Sequence, residues 1–265
     1  MFMKFLVVTG MLAAYLTFAQ KSIFSPTDAN KASDNKIADE KPIEKNDGTI
    51  LHDFFENHEH RIIHKWVHYF EIYEQHLSKF RNQPITMVEF GVFHGGSLQM
   101  WKYYFGEKAK IIGFDINPLC KELEEENISI IIGDQEDVAS LRKITEIEPK
   151  LDIIIDDGGH TMKQQRVTFE ELWASLKEGG IYICEDMHTS YWAEYGGGYK
   201  NPVSFIEYTK DLIDQLNAWH SRDAGFAIND FTSSAYSMHF YDSVVVIEKR
   251  KKIVPHAEVR GTCSY

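Results

Sequence analysis

Cysteine is scarce in this chain: three in 265 residues, at positions 120, 184 and 263. An odd number of thiols spaced so far apart argues against a disulfide framework and against a cysteine-based zinc site, so the three read as packing residues. Positive charge is short too, with 28 Lys and Arg against 40 Asp and Glu and a formal net charge of −12. That balance argues against a broad electrostatic grip on nucleic acid or anionic lipid. Internal repeats are lacking. The long uncharged apolar run is FLVVTGMLAAYLTFA, Phe5 to Ala19. It has roughly the length of a signal-peptide core and is slightly short for a spanning helix.

Residues 1–19 are therefore expected to be a signal peptide or a membrane anchor, which places the protein in the secretory pathway or on a membrane, and otherwise in the cytoplasm. Residues 20–50 are rich in Lys, Asp and Asn without an apolar period and read as a flexible linker. The hydrophobic content of 43 % is enough for one large domain over residues 51–265. Its first thirty residues place Phe55, Ile62, Ile63, Trp66, Phe70, Tyr73 and Leu77 at helical spacing, predicting one or two amphipathic helices. The histidines of that stretch, with His64 and His68 one turn apart, have no local carboxylate cluster and read as a solvated face.

From Pro84 onward strand and helix signals alternate, the pattern of an α/β fold with a mostly parallel sheet. Strands are expected at Ile85–Phe90, Lys110–Ile116, Ile128–Asp134, Leu151–Asp157 and Gly179–Asp186, with helices over Ser97–Phe105, Asp137–Glu146, Val167–Leu176 and Pro202–Trp219. SAYSMHFYDSVVVIEKR predicts a closing antiparallel pair turning at Asp242-Ser243.

Ligands of such folds bind beyond the carboxyl ends of the strands, and the polar residues of this chain collect there. GVFHGGS puts glycines at 91, 95 and 96 and Ser97 at a helix start, where backbone can pass close to a ligand. Phe93 stands where a dinucleotide fingerprint needs glycine, which disfavours a pyrophosphate turn. Asp115, ending the second strand, is suited to a ribose, and Asp134-Gln135, ending the third, to an adenine edge. Asp156-Asp157 and Glu185-Asp186 end strands that should be neighbours, so their carboxylates can converge on one hard cation such as magnesium. His160 follows across a Gly158-Gly159 turn and is placed to accept a proton at physiological pH.

The set VEFGVFHGGSLQMW, GFDINP, GDQED, IIDDGGH and GGIYICEDMHTSYW resembles the class I S-adenosylmethionine-dependent sugar O-methyltransferases of the macrolide type, over roughly Asp53 to Lys249. Gly159 stands where the motif more often has Ser. The resemblance implies a Rossmann-like class I methyltransferase fold with an N-terminal helical extension. It implies magnesium on Asp157, Glu185 and Asp186, and His160 as the catalytic general base. It further implies S-adenosylmethionine over the first turn, with Gly95 and Ser97 beneath it, its ribose on Asp115, its adenine near Asp134 and Gln135, and its methionine end near Glu89, Gly91 and Asp157. The expected partner is a small-molecule or glycan acceptor bounded by Thr189, Ser190, Tyr191 and Trp192. A catechol-type O-methyltransferase, a metal-dependent hydrolase and a glycan-binding relative without turnover remain the alternatives at this point.

Overall fold

The computed structural model describes residues 49–264; the apolar run 5–19 and nearly all of the linker 20–50 lie outside the described residues. The chain enters through helices α1 (Ile50–Glu56) and α2 (Tyr69–Leu77). It then alternates through β1 (Thr86–Phe90), α3 (Gly96–Phe105), β2 (Lys110–Asp115), β3 (Ile128–Ile132), α4 (Val138–Ile147), β4 (Leu151–Asp156), α5 (Met162–Leu172), β5 (Leu176–Cys184) and α6 (Phe205–Leu216). A short helix α7 (Asp230–Ser234) leads into the hairpin β6 (Ala235–Tyr241) and β7 (Val244–Lys249).

These strands make one seven-stranded sheet in the order β3-β2-β1-β4-β5-β7-β6. β1 to β5 run parallel, while β7 is antiparallel to both β5 and β6. The β-branched run of β4 shows how the sequence builds two layers: Ile153 and Ile155 pack into one buried cluster with α1, α2 and α3 residues, and Ile154 into the other with α4, α5 and α6. Side chains alternate across a strand, so a fully apolar strand needs a covered face on each side. Each isoleucine so buried stabilises the fold by roughly 1.5–3 kcal/mol. The strand order reverses between β1 and β4, and the crevice beyond their ends is where the fold leaves room for ligands. Among the described residues no helix is long and apolar enough to cross a membrane.

Two elements differ from the sequence expectation. Residues 57–68 are not helical: α1 and α2 are separated by an irregular segment, and Ile62 and Trp66, counted in the helical stripe, are 57 % and 51 % exposed. His64 and His68 consequently do not share a helical face. The helix expected over Val167–Leu176 is α5, which begins at Met162, because Thr161 caps it and exchanges hydrogen bonds with Gln164 in a capping box. Leu176 is already the first residue of β5.

Candidate active site

The first turn is held by a carboxylate. Asp115 Oδ2 accepts from the backbone N–H of Val92 (2.8 Å) and Phe93 (3.2 Å), and its Oδ1 from Asn117 N–H (2.8 Å). Gly91 has φ 85°, and a Cβ there would lie 2.1 Å from the Asp157 carbonyl oxygen, so only glycine lets the ends of β1 and β4 approach this closely. Gly95 adopts φ 77° and caps α3, while a Cβ on Gly96 would fall 2.4 Å from the Arg61 carbonyl and 2.5 Å from that of Ile62. The irregular segment 57–68 thus crosses directly over the glycine turn.

Not every predicted cofactor residue stands open. Glu89 is fully buried and accepts from Ser97 Oγ (2.6 Å), Trp101 Nε1 (2.9 Å) and Lys65 Nζ (3.2 Å). Gln135 is buried as a brace: its amide donates to Asp156 Oδ1 (2.6 Å) and Thr168 Oγ1 (3.0 Å), and its carbonyl accepts from Gly159 N–H (3.1 Å). Asp134 is exposed and receives Glu136 N–H at 2.8 Å.

The two carboxylates ending β4 face opposite ways. Asp156 is fully buried and receives Gln135 and, at 3.2 Å, the Tyr182 hydroxyl; burial pushes its carboxyl upward. Asp157 points to the crevice. One ligand atom each from Asp157, His160 and Asp186 lies within 4.8 Å of the others. His160 Nε2 is 3.9 Å from Asp157 Oδ1 and 3.6 Å from Asp186 Oδ2, while its Nδ1 is buried without a hydrogen-bond partner. Both His160 (φ 58°) and Asp186 (φ 53°) occupy the left-handed region, a conformation non-glycine residues hold only where the surroundings enforce it. The Thr189 hydroxyl helps to enforce it, lying 3.0 Å from the His160 carbonyl and 2.8 Å from that of Asp186.

Of the three expected magnesium ligands, Glu185 is the fully buried one. Its side chain turns inward, where Oε1 accepts from the Tyr73 hydroxyl (2.7 Å) and Oε2 from Lys65 Nζ (3.0 Å). The same ammonium reaches Asp157 Oδ2 at 2.6 Å. Sequence reasoning gave none of Lys65, Tyr69 and Tyr73 a place at the site. Tyr73 reads as part of the hydrophobic stripe, and a lone lysine among histidines and aromatics carries no pattern of its own.

The electrostatics of this cluster favour a hard cation. Glu89, Asp157, Glu185 and Asp186 are four carboxylates, and among the described residues Lys65 is the one lysine bonded to them. Burial pushes the Asp157 carboxyl up to about 6, with Lys65 pulling it back, and burial with repulsion from Asp157 holds Glu185 well above the carboxylate range. Acids that resist ionisation when alone become good ligands once a divalent charge is supplied. Two crevice-facing carboxylates with an imidazole beside them are a donor set that fits magnesium.

An aromatic row borders the cluster. Trp66 lies edge-on to His188 at 5.8 Å, and His188 to Trp192 at 4.7 Å. Trp66 and Trp192 are both exposed, as is Tyr191, whereas Thr189 and Ser190 are buried and position the loop. Ser190 Oγ accepts from Ile206 N–H at 3.2 Å.

The architecture is that of the class I methyltransferases, and residues 88–187 match the methyltransferase domain family. The sequence resembles the macrolide and tetracenomycin sugar O-methyltransferases. It is 35 % identical over 197 residues to the 8-demethyl-8-alpha-L-rhamnosyl tetracenomycin-C 2'-O-methyltransferase of Streptomyces olivaceus, covering 70 % of this chain and 52 % of that protein. To the mycinamicin VI 2''-O-methyltransferase of Micromonospora griseorubida it is 33 % identical, over 67 % of this chain and 47 % of the relative. The chain spans about half the length of the curated relatives it matches. Among solved structures, MycE methyltransferase from the mycinamycin biosynthetic pathway in complex with Mg and SAH superposes with a TM-score of 0.66 at 30 % identity, covering 76 % of this chain and 54 % of that one.

Proposed function

We propose that this protein is a magnesium-dependent S-adenosylmethionine O-methyltransferase acting on a hydroxyl of a sugar or glycosylated small molecule. The observation that carries the reading is the convergence of Asp157, His160 and Asp186 at the ends of β4 and β5, beside the turn where β1 and β4 nearly touch. The resemblance to sugar O-methyltransferases supports the acceptor class.

In this reading Asp157, Glu185 and Asp186 would hold the ion. When bound, magnesium would acidify the acceptor hydroxyl and S-adenosylmethionine would supply the methyl group. His160 takes the hydroxyl proton on Nε2, the ring nitrogen that faces the carboxylates. Asp115 fixes the first turn through the backbone amides of Val92 and Phe93, which would present that turn to the nucleoside. Gly91, Gly95 and Ser97 give that turn its shape, and Glu89 with Gln135 brace it from within the fold. Asp134, exposed beside Gln135, would be left to meet the adenine. Trp192 and Trp66 offer flat apolar faces to a sugar ring, whose C–H groups stack on aromatic surface. The same reading takes residues 51–265 as the methyltransferase domain, 20–50 as its linker and 1–19 as a signal or anchor.

Calorimetry with S-adenosylmethionine, followed by methyl transfer to a panel of glycosylated acceptors and catechols with and without chelator, tests the proposal. Cofactor binding alone, turnover on ring sugars and loss of turnover in chelator are expected. Equal turnover in chelator would remove the metal, preference for catechols would reassign the acceptor, and no cofactor binding would overturn the class.

A further inference from the structure

Lys65 lies in the irregular segment between α1 and α2, yet its side chain is only 2 % exposed. Its ammonium has three N–H donors and meets three carboxylates: Asp157 Oδ2 at 2.6 Å, Glu185 Oε2 at 3.0 Å and Glu89 Oε1 at 3.2 Å. Two of those, Asp157 and Glu185, belong to the expected metal set. The backbone carbonyls of Arg61 and Ile62 and the side chain of Ile63, two to four residues upstream, rest on Gly96, so the ammonium is delivered by the very segment that covers the glycine turn.

We propose that Lys65 is a tethered cation that competes with the divalent ion for Asp157 and Glu185 and thereby sets the ion affinity of the site. The inference rests on the reading of this cluster as a metal centre. Asp157 is shared, with Oδ2 on the ammonium and Oδ1 turned toward His160, and Glu185 is held inward between the ammonium and Tyr73. A fixed positive charge this close repels a second cation and occupies oxygens the ion needs. Ion binding draws the two carboxylates outward, weakens their hold on the ammonium and loosens residues 57–68 over the glycine turn. Lys65 acts through the carboxylates and is a positioning residue.

Mn²⁺ binding measured by calorimetry on the full chain, without S-adenosylmethionine, tests this on wild type, Lys65→Met and Lys65→Arg. Methionine keeps much of the aliphatic volume and removes the charge. The expected result is Mn²⁺ bound at least about tenfold more tightly by Lys65→Met, with a larger Mn²⁺-induced rise in Tm, and wild-type-like affinity in Lys65→Arg. A purely structural lysine predicts the opposite, since unanchored carboxylates bind an ion less well. A folded Lys65→Met with equal or weaker Mn²⁺ affinity than wild type overturns the proposal. Should that variant fail to fold, hydrogen exchange on the wild type decides: amides of residues 57–68 exchange faster with saturating Mn²⁺ if the ammonium is displaced, and unchanged or slower exchange overturns it. Mn²⁺ bound equally by both proteins sinks this inference alone, whereas no binding by either sinks the metal centre with it.

Discussion

The Tyr69 hydroxyl donates to Asp186 Oδ1 at 2.8 Å and accepts from the backbone N–H of the same residue at 3.3 Å. A helix remote in sequence therefore fixes both the side chain and the left-handed backbone of a carboxylate at the end of β5. Groups that orient a metal ligand from behind commonly govern affinity by 10–100-fold. Tyr69→Phe is expected to weaken Mg²⁺ or Mn²⁺ binding about tenfold, while lowering stability by only about 1 kcal/mol. Calorimetry and thermal melting separate the two effects. Ion affinity within twofold of wild type would show that Asp186 holds its position without Tyr69.

His160 carries two burdens, an imidazole at the crevice and a backbone at φ 58°. Asparagine tolerates that conformation better than alanine, so His160→Asn separates chemistry from strain. Both variants should still bind S-adenosylmethionine, and both should transfer methyl at least roughly a hundredfold more slowly. Alanine alone should lower Tm as well. Turnover near wild type in the asparagine variant would exclude His160 as the base.

What could be read from the sequence was whatever repeats along one strand or helix. The Ile153–Ile155 run announced a strand covered on both faces, and the closing hairpin was marked by Asp242-Ser243, where Ser243 indeed adopts φ 64°. The convergence of the β4 and β5 ends followed from order alone. The direction in which each acid points did not: Asp156 and Asp157 are adjacent letters, yet one is sealed beneath Gln135 and Tyr182 and the other opens to the crevice. Nor could Lys65 be found, because its partners lie 24, 92 and 120 residues away and its segment breaks the helical stripe that Ile62 and Trp66 suggested. Such contacts belong to tertiary packing, which no local period encodes.

Gln135, expected beside an adenine, also carries a prediction about stability. Its amide bridges Asp156 and Thr168 while its carbonyl holds the Gly159 N–H, so one side chain joins the ends of β3 and β4 to α5. Gln135→Ala leaves the fully buried Asp156 with the Tyr182 hydroxyl as its remaining side-chain donor. An unmet buried acceptor costs roughly 1–3 kcal/mol. For a domain of this size Tm should fall by several degrees, at about 2–4 °C per kcal/mol. Differential scanning calorimetry measures it, and an unchanged Tm would mean that the brace is dispensable.

Stability should also carry a pH signature far from the crevice. His76, on α2, packs against His239 with ring centroids 4.8 Å apart and meets the Tyr241 hydroxyl at 2.8 Å. Burial first, then the charges of His239 and Lys79, push its pKa down from 6.5 to about 4, with Glu248 opposing. The folded-state value is thus the lower one, and between about 6.5 and 4 the unfolded chain binds the proton that the folded chain refuses. His76 accordingly favours the fold fully above about pH 6.5 and progressively less as pH falls toward 4. Asp157 and Glu185, whose carboxyls are pushed up, give a slope of the opposite sign, but that contribution cancels when wild type is compared with His76→Gln. Thermal melts across this range should show wild type losing more Tm than the variant on acidification. Parallel curves for the two proteins would mean that His76 takes up its proton as readily in the folded chain as in the unfolded one.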